Sequence, residues 1–521
     1  MMQRQPSVMT HLFSQAPTVG IPRSSFDRSH GLKTTFSSGY LVPIYVDEAL
    51  PGDSFNLNMT GLCRLATPIF PLMDNLYLDT MFFAVPYRLV WDNWEKFNGA
   101  QDNPGDSTDY VIPTMSSDDY TPAGYPANSI HDHMGLPVGM PNIKNSCLWH
   151  RAYHLIWNQW FRDENLQDQV LVKKDNGPDD AKIYNFLKRG KRPDYFTSAL
   201  PWPQKGPGVQ IPLGGRANVM SASFGDGVNP SDKAPYGYTN GSVPTGSGPY
   251  SWTDQGAGQG GIWADLSTAT AATINTLRQA AAIQQIYEQD ARGGTRYVEI
   301  LRSFFKVVSP DFRLQRPELL STHSTPIIIA PVPQTGGTGA NVDTPQGNLA
   351  AYGIALANGH GFTHSFTEHC LLIGLACVRA DLTYQQGLER MWSRKTRFDF
   401  YWPPLDSIGE QTILSKEIYA DGTANDELVF GYQERYADYR YKPSKIVGEF
   451  RSSFPQSLDV WHLSQDFATR PVLDSAFIEE NPPVGRVIAV PSEPQFIADF
   501  YFGLRCARPM PVYSIPGLRR F

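Results

Sequence analysis

Phe496-Ile497-Ala498-Asp499-Phe500-Tyr501-Phe502-Gly503-Leu504-Arg505-Cys506 alternates apolar and polar side chains with a period of two. Successive side chains of an extended strand point to opposite faces. Phe496, Ala498, Phe500, Phe502, Leu504 and Cys506 therefore share a core-facing side, opposite Asp499, Tyr501 and Arg505. Cys370–Val378 is apolar on both sides, the pattern of a strand buried between layers. Near the start, Gly39–Val46, Ser54–Leu65 and Leu76–Val85 read as further strands, split by turns such as Leu50-Pro51-Gly52-Asp53. Asp421-Gly422, between Ile418-Tyr419 and Leu428–Tyr432, predicts a hairpin with a somewhat long loop.

Helical spacing is confined to the middle. Trp149, Tyr153, Ile156, Trp157 and Trp160 mark one helix; Leu277, Ala280, Ile283, Tyr287 and Ala291 mark a second, closed by Gly293-Gly294. Both stripes are expected to pack against the sheets. Residues 98–147 and 204–295 read as large insertions, the first rich in Asp, Pro, Ser and Gly, the second dense in glycine over 204–262. With 44 glycines, 42 prolines and 41% hydrophobic residues, the chain has a large core and many turns rather than a helical bundle. The expected fold is mainly β: an eight-stranded jelly roll, a β-sandwich with large loop insertions that contain a few α-helices.

The net charge of -7 excludes a uniformly basic nucleic-acid binder, but the charge is unevenly spread. Arg4, Arg23, Arg28 and Lys33 make residues 1–40 a basic arm, with Asp27 their only acid. At the other end, residues 505–521 carry Arg505, Arg508, Arg519 and Arg520 and no acid. Five scattered cysteines without a CxxC pair suggest buried or unpaired thiols made in a reducing cytoplasm, not a disulfide framework. No signal-peptide run opens the chain and no apolar stretch is long enough to span a bilayer, so no membrane insertion is expected.

Catalytic patterns fail on inspection. Gly256-Ala257-Gly258-Gln259-Gly260-Gly261 has the GxGxxG form but follows no apolar strand. His360, His364, Glu368 and His369 lack the convergence a metal site needs and read as loop histidines leading into a strand. The neighbouring carboxylates Asp118-Asp119 and Glu479-Glu480 would point to opposite faces of a strand and cannot flank one glycosidic bond. That counts against a secreted carbohydrate-binding or carbohydrate-cleaving β-sandwich, the main alternative. No enzyme activity, cofactor or metal is expected.

Several long blocks decide between the remaining readings. IPRSSFDRSHG at Ile21–Gly31, RLATPIFPLMDNLYLDT at Arg64–Thr80 and VPYRLVWDNW at Val85–Trp94 resemble the major capsid proteins of the microvirus family, Microviridae, in its gokushovirus branch. ARGGTRY at Ala291–Tyr297, SPDFRLQRPE at Ser309–Glu318, VRADLTYQQG at Val378–Gly387 and RPMPVYSIPG at Arg508–Gly517 follow in order. The resemblance implies a viral jelly roll over 41–521 that assembles with other copies, through pentameric precursors, into a T=1 icosahedral shell around circular single-stranded DNA. It implies a virion protein made in the host bacterial cytoplasm. Its partners would be a small basic DNA-binding protein, a pilot protein, a scaffolding protein and a host surface receptor. It also implies an outer threefold protrusion formed by an insertion, here 214–261.

Within that frame the basic residues Arg4, Arg23, Arg28, Lys33, Arg505, Arg508, Arg519 and Arg520 are candidates for DNA contact. Tyr236, Tyr238, Tyr250 and Trp252, set among Ser, Gly and Asn, are candidates for host recognition. Trp94 in Trp91-Asp92-Asn93-Trp94 and Trp402 in Tyr401-Trp402-Pro403-Pro404 are candidate subunit contacts.

Overall fold

Phe496–Arg508 is extended throughout, and its even-numbered residues from Phe496 to Cys506 are all buried, as alternation requires. The computed structural model describes residues 22–107, 109–209, 218–221, 234–235, 262–265, 274–294, 297–306, 315–336 and 347–513. The chain divides into two compact units, Met1–Pro201 with Lys306–Phe521, and Trp202–Phe305.

In the larger unit the strands are β1 (Ser24–Asp27), β2 (His30–Phe36), β3 (Val42–Ala49), β4 (Ser54–Leu65), β5 (Leu76–Pro86), β6 (Glu318–Pro333), β7 (Leu349–Ser365), β8 (Cys370–Ala380) and β9 (Phe496–Arg508). Among the described residues these nine strands form one antiparallel sheet in the order β1-β9-β4-β7-β6-β5-β8-β3, with β2 also on the β9 edge. β6 ties the two halves together: Glu318–Ile327 pair with β5, and Ile328–Pro333 pair with β7. The sheet curls, so that Phe55, Leu57 and Met59 of β4 and Phe496, Phe500 and Phe502 of β9 share one core with Leu78 and Phe82 of β5 and Leu372 and Val378 of β8. The sandwich expected from the sequence thus takes the form of a mainly β, curled sheet of nine strands, compatible with a jelly roll. Gly61 of β4 leaves room for the Phe500 ring across the strand; a Cβ there would meet Phe500 Cδ1 at 2.5 Å.

The expected strands at 54–65 and 76–85 match closely, and residues 24–36 of the basic arm are also strands. The hairpin expected about Asp421-Gly422 is displaced. Glu410–Leu414 pairs with Val429–Glu434, and Ser415–Ile418 forms a helical turn between them. Ser415–Ile418 are all buried, with the Glu417 carboxylate accepting from Leu414 N at 2.9 Å, so this segment is packed rather than looped out.

The β5–β8 half of the sheet carries a second core on its far face. Met81, Phe83 and Val85 alternate with the inner set, as do Leu371, Ile373, Leu375 and Cys377. Helix α1 (Leu148–Ile156) covers them with Leu148, Ala152, Tyr153 and Ile156; of the expected stripe Tyr153, Ile156 and Trp157 are buried, and Trp149 and Trp160 pack on the cluster half-buried. Residues 98–147, loop-like in sequence, supply Met115, Tyr125 and Ile130 to the same cluster. In the smaller unit, Asn218–Ser221 pairs with Ala234–Pro235 and Ile262–Asp265, followed by α2 (Ile274–Gly293) and α3 (Tyr297–Phe305). Gly294 closes α2 at φ +88°; of the expected stripe Ala291 is buried but Leu277 is exposed.

Three imidazoles lie inside the second core. His131 Nδ1 and His150 Nε2 share a hydrogen bond of 3.1 Å, and Tyr184 lies 5.2 Å from His150 and 4.8 Å from His154 between ring centres. Burial pushes His131 down to about 4 and lowers His150 and His154 from the ordinary 6.5. Arg151, bound to Asp179 by two 2.8 Å hydrogen bonds, already takes up the nearest buried carboxylate. An unfolded chain binds protons on these imidazoles below the ordinary value while the fold does not, so stability is full above it and falls as pH drops toward the folded values. Melting of the unassembled protein is expected to drop by about 5 °C or more between about pH 7.5 and about pH 5. The drop shrinks in His150→Phe; an unchanged drop in that variant overturns the assignment.

Candidate functional site

Pairing of β9 with β1, β2 and β4 brings Lys33 and Arg505, one from each end of the chain, onto the same sheet. Lys33 lies opposite Asp499, and Arg505 lies opposite both Asp27 and Asn56. The residues between those of the core face outward: Asn56, Asn58, Leu62 and Arg64 of β4, Ile497, Tyr501 and Arg505 of β9, and Leu356 of β7 are exposed. This face is therefore an uncovered sheet surface, among the described residues, of asparagines, arginines and a tyrosine with apolar side chains between them.

The candidate basic residues separate into two groups. Arg23 is exposed and donates to Ser54 Oγ at 2.6 Å; Lys33 is exposed and only loosely paired with Asp499 at 3.2 Å; Arg505 is exposed. Arg28 instead grips Asp47 with two bonds of 2.8 and 2.9 Å, and Tyr45 donates to the same carboxylate. Arg508 lies 3.0 Å from Asp53, which is 0% exposed, donates to Glu48 O at 2.9 Å and lies over the Phe55 ring. Arg28 and Arg508 thus neutralise acids of the sheet. Arg4, Arg519 and Arg520 lie outside the described residues, as do Tyr236, Tyr238, Tyr250 and Trp252. Arg64, not singled out in sequence, makes no ion pair with a described residue; only the register of β4 against β9 reveals its face.

The two tryptophans differ. Trp94 stacks on Tyr87 at 4.3 Å, meets His369 edge-on at 5.3 Å and is half-buried against the second core. Trp402 is 41% exposed, donates to Arg397 O at 2.8 Å and lies under the Arg397 guanidinium. Around it is an aromatic surface that sequence reading missed beyond the Tyr401–Pro404 segment. Phe398, Phe400, Tyr401 and Tyr439 are each about half exposed, with Arg394 over Phe400 and Tyr439 and Tyr401 edge-on to Tyr436. Their only sequence signal was aromatic density without a strand or helix period.

The histidine group disperses on folding. His360 is buried in β7 between Thr80 and Thr325, His364 lies 3.7 Å from Glu318, Glu368 binds Arg88, and His369 packs on Trp94. His360 and His364 sit within β7 rather than in the loop expected before a strand. No cluster able to hold a metal occurs among the described residues. All five cysteines are buried and unpaired, with burial pushing Cys63, Cys147, Cys370 and Cys377 up to about 12. No helix among the described residues is long and apolar enough to cross a membrane.

Comparison with known proteins places the chain among capsid proteins. The profile of the family described as "Capsid protein (F protein)" matches residues 14–518. The capsid protein VP1 of Bdellovibrio phage phiMH2K is 50% identical, the match covering 97% of each chain. Those of Chlamydia phage 1 and Spiroplasma virus 4 are 44% and 39% identical, covering 99% and 98% of each chain.

The division of the arginines has a direct consequence for stability. Arg508→Leu leaves the Asp53 carboxylate buried without its cation and is expected to cost about 3–5 kcal/mol in urea unfolding of the unassembled chain. Arg505→Leu, at an exposed position, is expected to stay within about 0.5 kcal/mol. The reverse order would refute the structural role given to Arg508.

Proposed function

Because the chain belongs to the capsid protein (F protein) family of bacteriophages, in which the role is structural and not enzymatic, we propose that its copies close into a T=1 icosahedral shell around a circular single-stranded DNA genome. The observation that carries this reading is the aromatic surface around Arg394 and Arg397. A lone soluble chain gains nothing by leaving Phe398, Phe400, Tyr401 and Trp402 half exposed, whereas aromatic and arginine side chains are the usual anchors of subunit interfaces. A second copy of this chain is the occupant of the part of that surface formed by Phe398, Phe400, Tyr401 and Trp402, leaving Tyr439 at its edge open. β1 and β2 act as one interrupted strand on the β9 edge, which makes the curled sheet a jelly roll of two four-stranded halves, β1/β2-β9-β4-β7 and β3-β8-β5-β6.

In this reading the uncovered face of β4, β7 and β9 looks toward the genome. Arg23, Lys33, Arg64 and Arg505 meet phosphates, and Tyr501 offers a ring to bases, a combination that holds single strands without reading sequence. The basic ends with Arg4, Arg519 and Arg520 add to the same contact, alongside a small basic DNA-binding protein. The insertion 214–261 forms the threefold protrusion and meets the host receptor through Tyr236, Tyr238, Tyr250 and Trp252. Its charge supports this: Arg216 and Lys233 against Asp226, Asp232 and Asp254 suit phosphate poorly.

Trp402→Ala is expected to leave the melting temperature of the unassembled chain nearly unchanged while abolishing particles in electron micrographs. Trp94→Ala, which empties a stack on Tyr87, is expected to lower stability by about 2–4 kcal/mol. Equal loss of stability in the two variants would remove the interface role of Trp402. Arg64→Gln with Arg505→Gln is expected to reduce packaged DNA per particle, and unchanged DNA content would retire the genome-facing assignment. Deleting Gly225 to Gly248 is expected to leave particles intact but unable to adsorb to the host; normal adsorption would refute the recognition role.

A further inference from the structure

A third buried cluster of the larger unit is formed by Tyr195, Phe196, Ile413, Ile418, Phe430 and Phe477, and beside it lies a cavity of about 310 Å³. That is the lower end of the roughly 300–1,000 Å³ typical of small-molecule sites. Tyr195, Phe196 and Tyr384 form its inner wall, and Tyr439 and Tyr441, both about half exposed, stand at its mouth. The polar ends of the inner rings are already engaged. Tyr195 Oη donates to Glu417 at 2.8 Å and Tyr384 Oη donates to Asp194 at 2.6 Å, so these two rings have no hydroxyl proton to spare for a ligand.

The charges lining it do not cancel. Glu417 is held by Arg390 at 3.0 Å, Glu389 by Lys445 at 2.6 Å, and Asp438 by Arg394. Lys442 and Arg451 also line the cavity, and neither makes an ion pair with a described residue. Two local features fix them at the rim. Ser444 and Lys445 pair with Thr383 and Tyr384, and Ser452 N donates to Gln385 Oε1 at 2.7 Å. Gly387 completes the wall: a side chain there would collide with the Glu417 carbonyl, so the wall can approach this closely only with glycine.

A ring-lined hollow with two unspent cations at its rim fits a planar, anionic ligand. We propose that it holds one nucleotide of single-stranded DNA, the base among Tyr384, Tyr195 and Tyr439 and the phosphate between Lys442 and Arg451. Stacking on aromatic faces accepts any base, so the site anchors the strand without selecting sequence. A neutral sugar would leave both cations without a partner, and a free phosphate would leave the rings unused. The inference rests on the reading that the shell encloses single-stranded DNA and adds a fixed anchoring point to it.

Calorimetric titration of the purified full-length chain with thymidine 5′-monophosphate, thymidine, inorganic phosphate and glucose tests it. Thymidine monophosphate is expected to bind more tightly than any of the other three. K442Q with R451Q is expected to weaken it about tenfold or more, to the level of thymidine, and to flatten its salt dependence. Tyr439→Leu, at a half-exposed position, is expected to weaken thymidine monophosphate and thymidine alike. Absence of thymidine monophosphate binding, binding indifferent to the double variant, or tighter binding of glucose overturns the proposal. Nuclease-protected single-stranded DNA in wild-type particles, measured alongside, keeps the two readings apart. Protected DNA with no nucleotide binding sinks the cavity alone, whereas particles without DNA sink the genome-enclosing reading on which it rests.

Discussion

β8 has no face to give to water. Cys370, Leu372, Ala376 and Val378 enter the inner core while Leu371, Ile373, Leu375 and Cys377 enter the outer one. Two covering layers are therefore obligatory, and their arrangement follows from that demand. On one side the sheet curls back on itself, bringing β9 and β4 over β5 and β8. On the other, α1 and the chain from Tyr87 to Trp157 close the opposite face. Asp79, on the same strand face as Met81 and Phe83, is tolerated there because Arg189 at 2.7 Å and Arg379 at 2.8 Å neutralise it.

The other half of the sheet has only one covered face. β4, β7 and β9 are buried within and exposed without, and the aromatic surface around Trp402 is likewise open. Both regions leave apolar side chains exposed among the described residues. One mixes rings with asparagine and arginine, as suits a charged polymer. The other stacks rings under guanidinium groups, as suits a protein surface. That difference in chemistry is the basis for proposing a different partner for each.

Sequence reading was most reliable where one physical signal dominated. The alternation from Phe496 to Cys506 and the two-sided apolar run from Cys370 each lie in the strand their pattern required, whereas the helical stripe from Trp149 to Trp160 is α-helical only to Ile156 and continues as a π-helical turn over Trp157–Phe161. The Asp421-Gly422 hairpin misled because a local turn signal says nothing of which strand lies beyond it; the buried segment Ser415–Ile418 took the position the turn was expected to define. Arg28 and Arg508 show a similar limit. A basic residue looks the same in sequence whether it faces a phosphate or a buried acid, and Asp47 and Asp53 lie 19 and 455 positions away from their partners. The aromatic surface and the cavity beside it are assembled from segments spread between Tyr195 and Arg451, a convergence that no local pattern encodes.

The insertion of β9 between β2 and β4 has a consequence for how the protein comes into being. Phe496–Arg508 must slot between Phe36 and Leu65, strands made more than 400 positions earlier. Contacts so distant in sequence are slow to form, because a long loop must close before they contribute. Until that strand is synthesised, Phe55, Leu57 and Met59 lack the phenylalanines that cover them, and the half-sheet is a sticky, unfinished surface. A chain that lacks β9 therefore cannot complete the inner core, and the face shared by β4 and β9 exists only once both strands are in place.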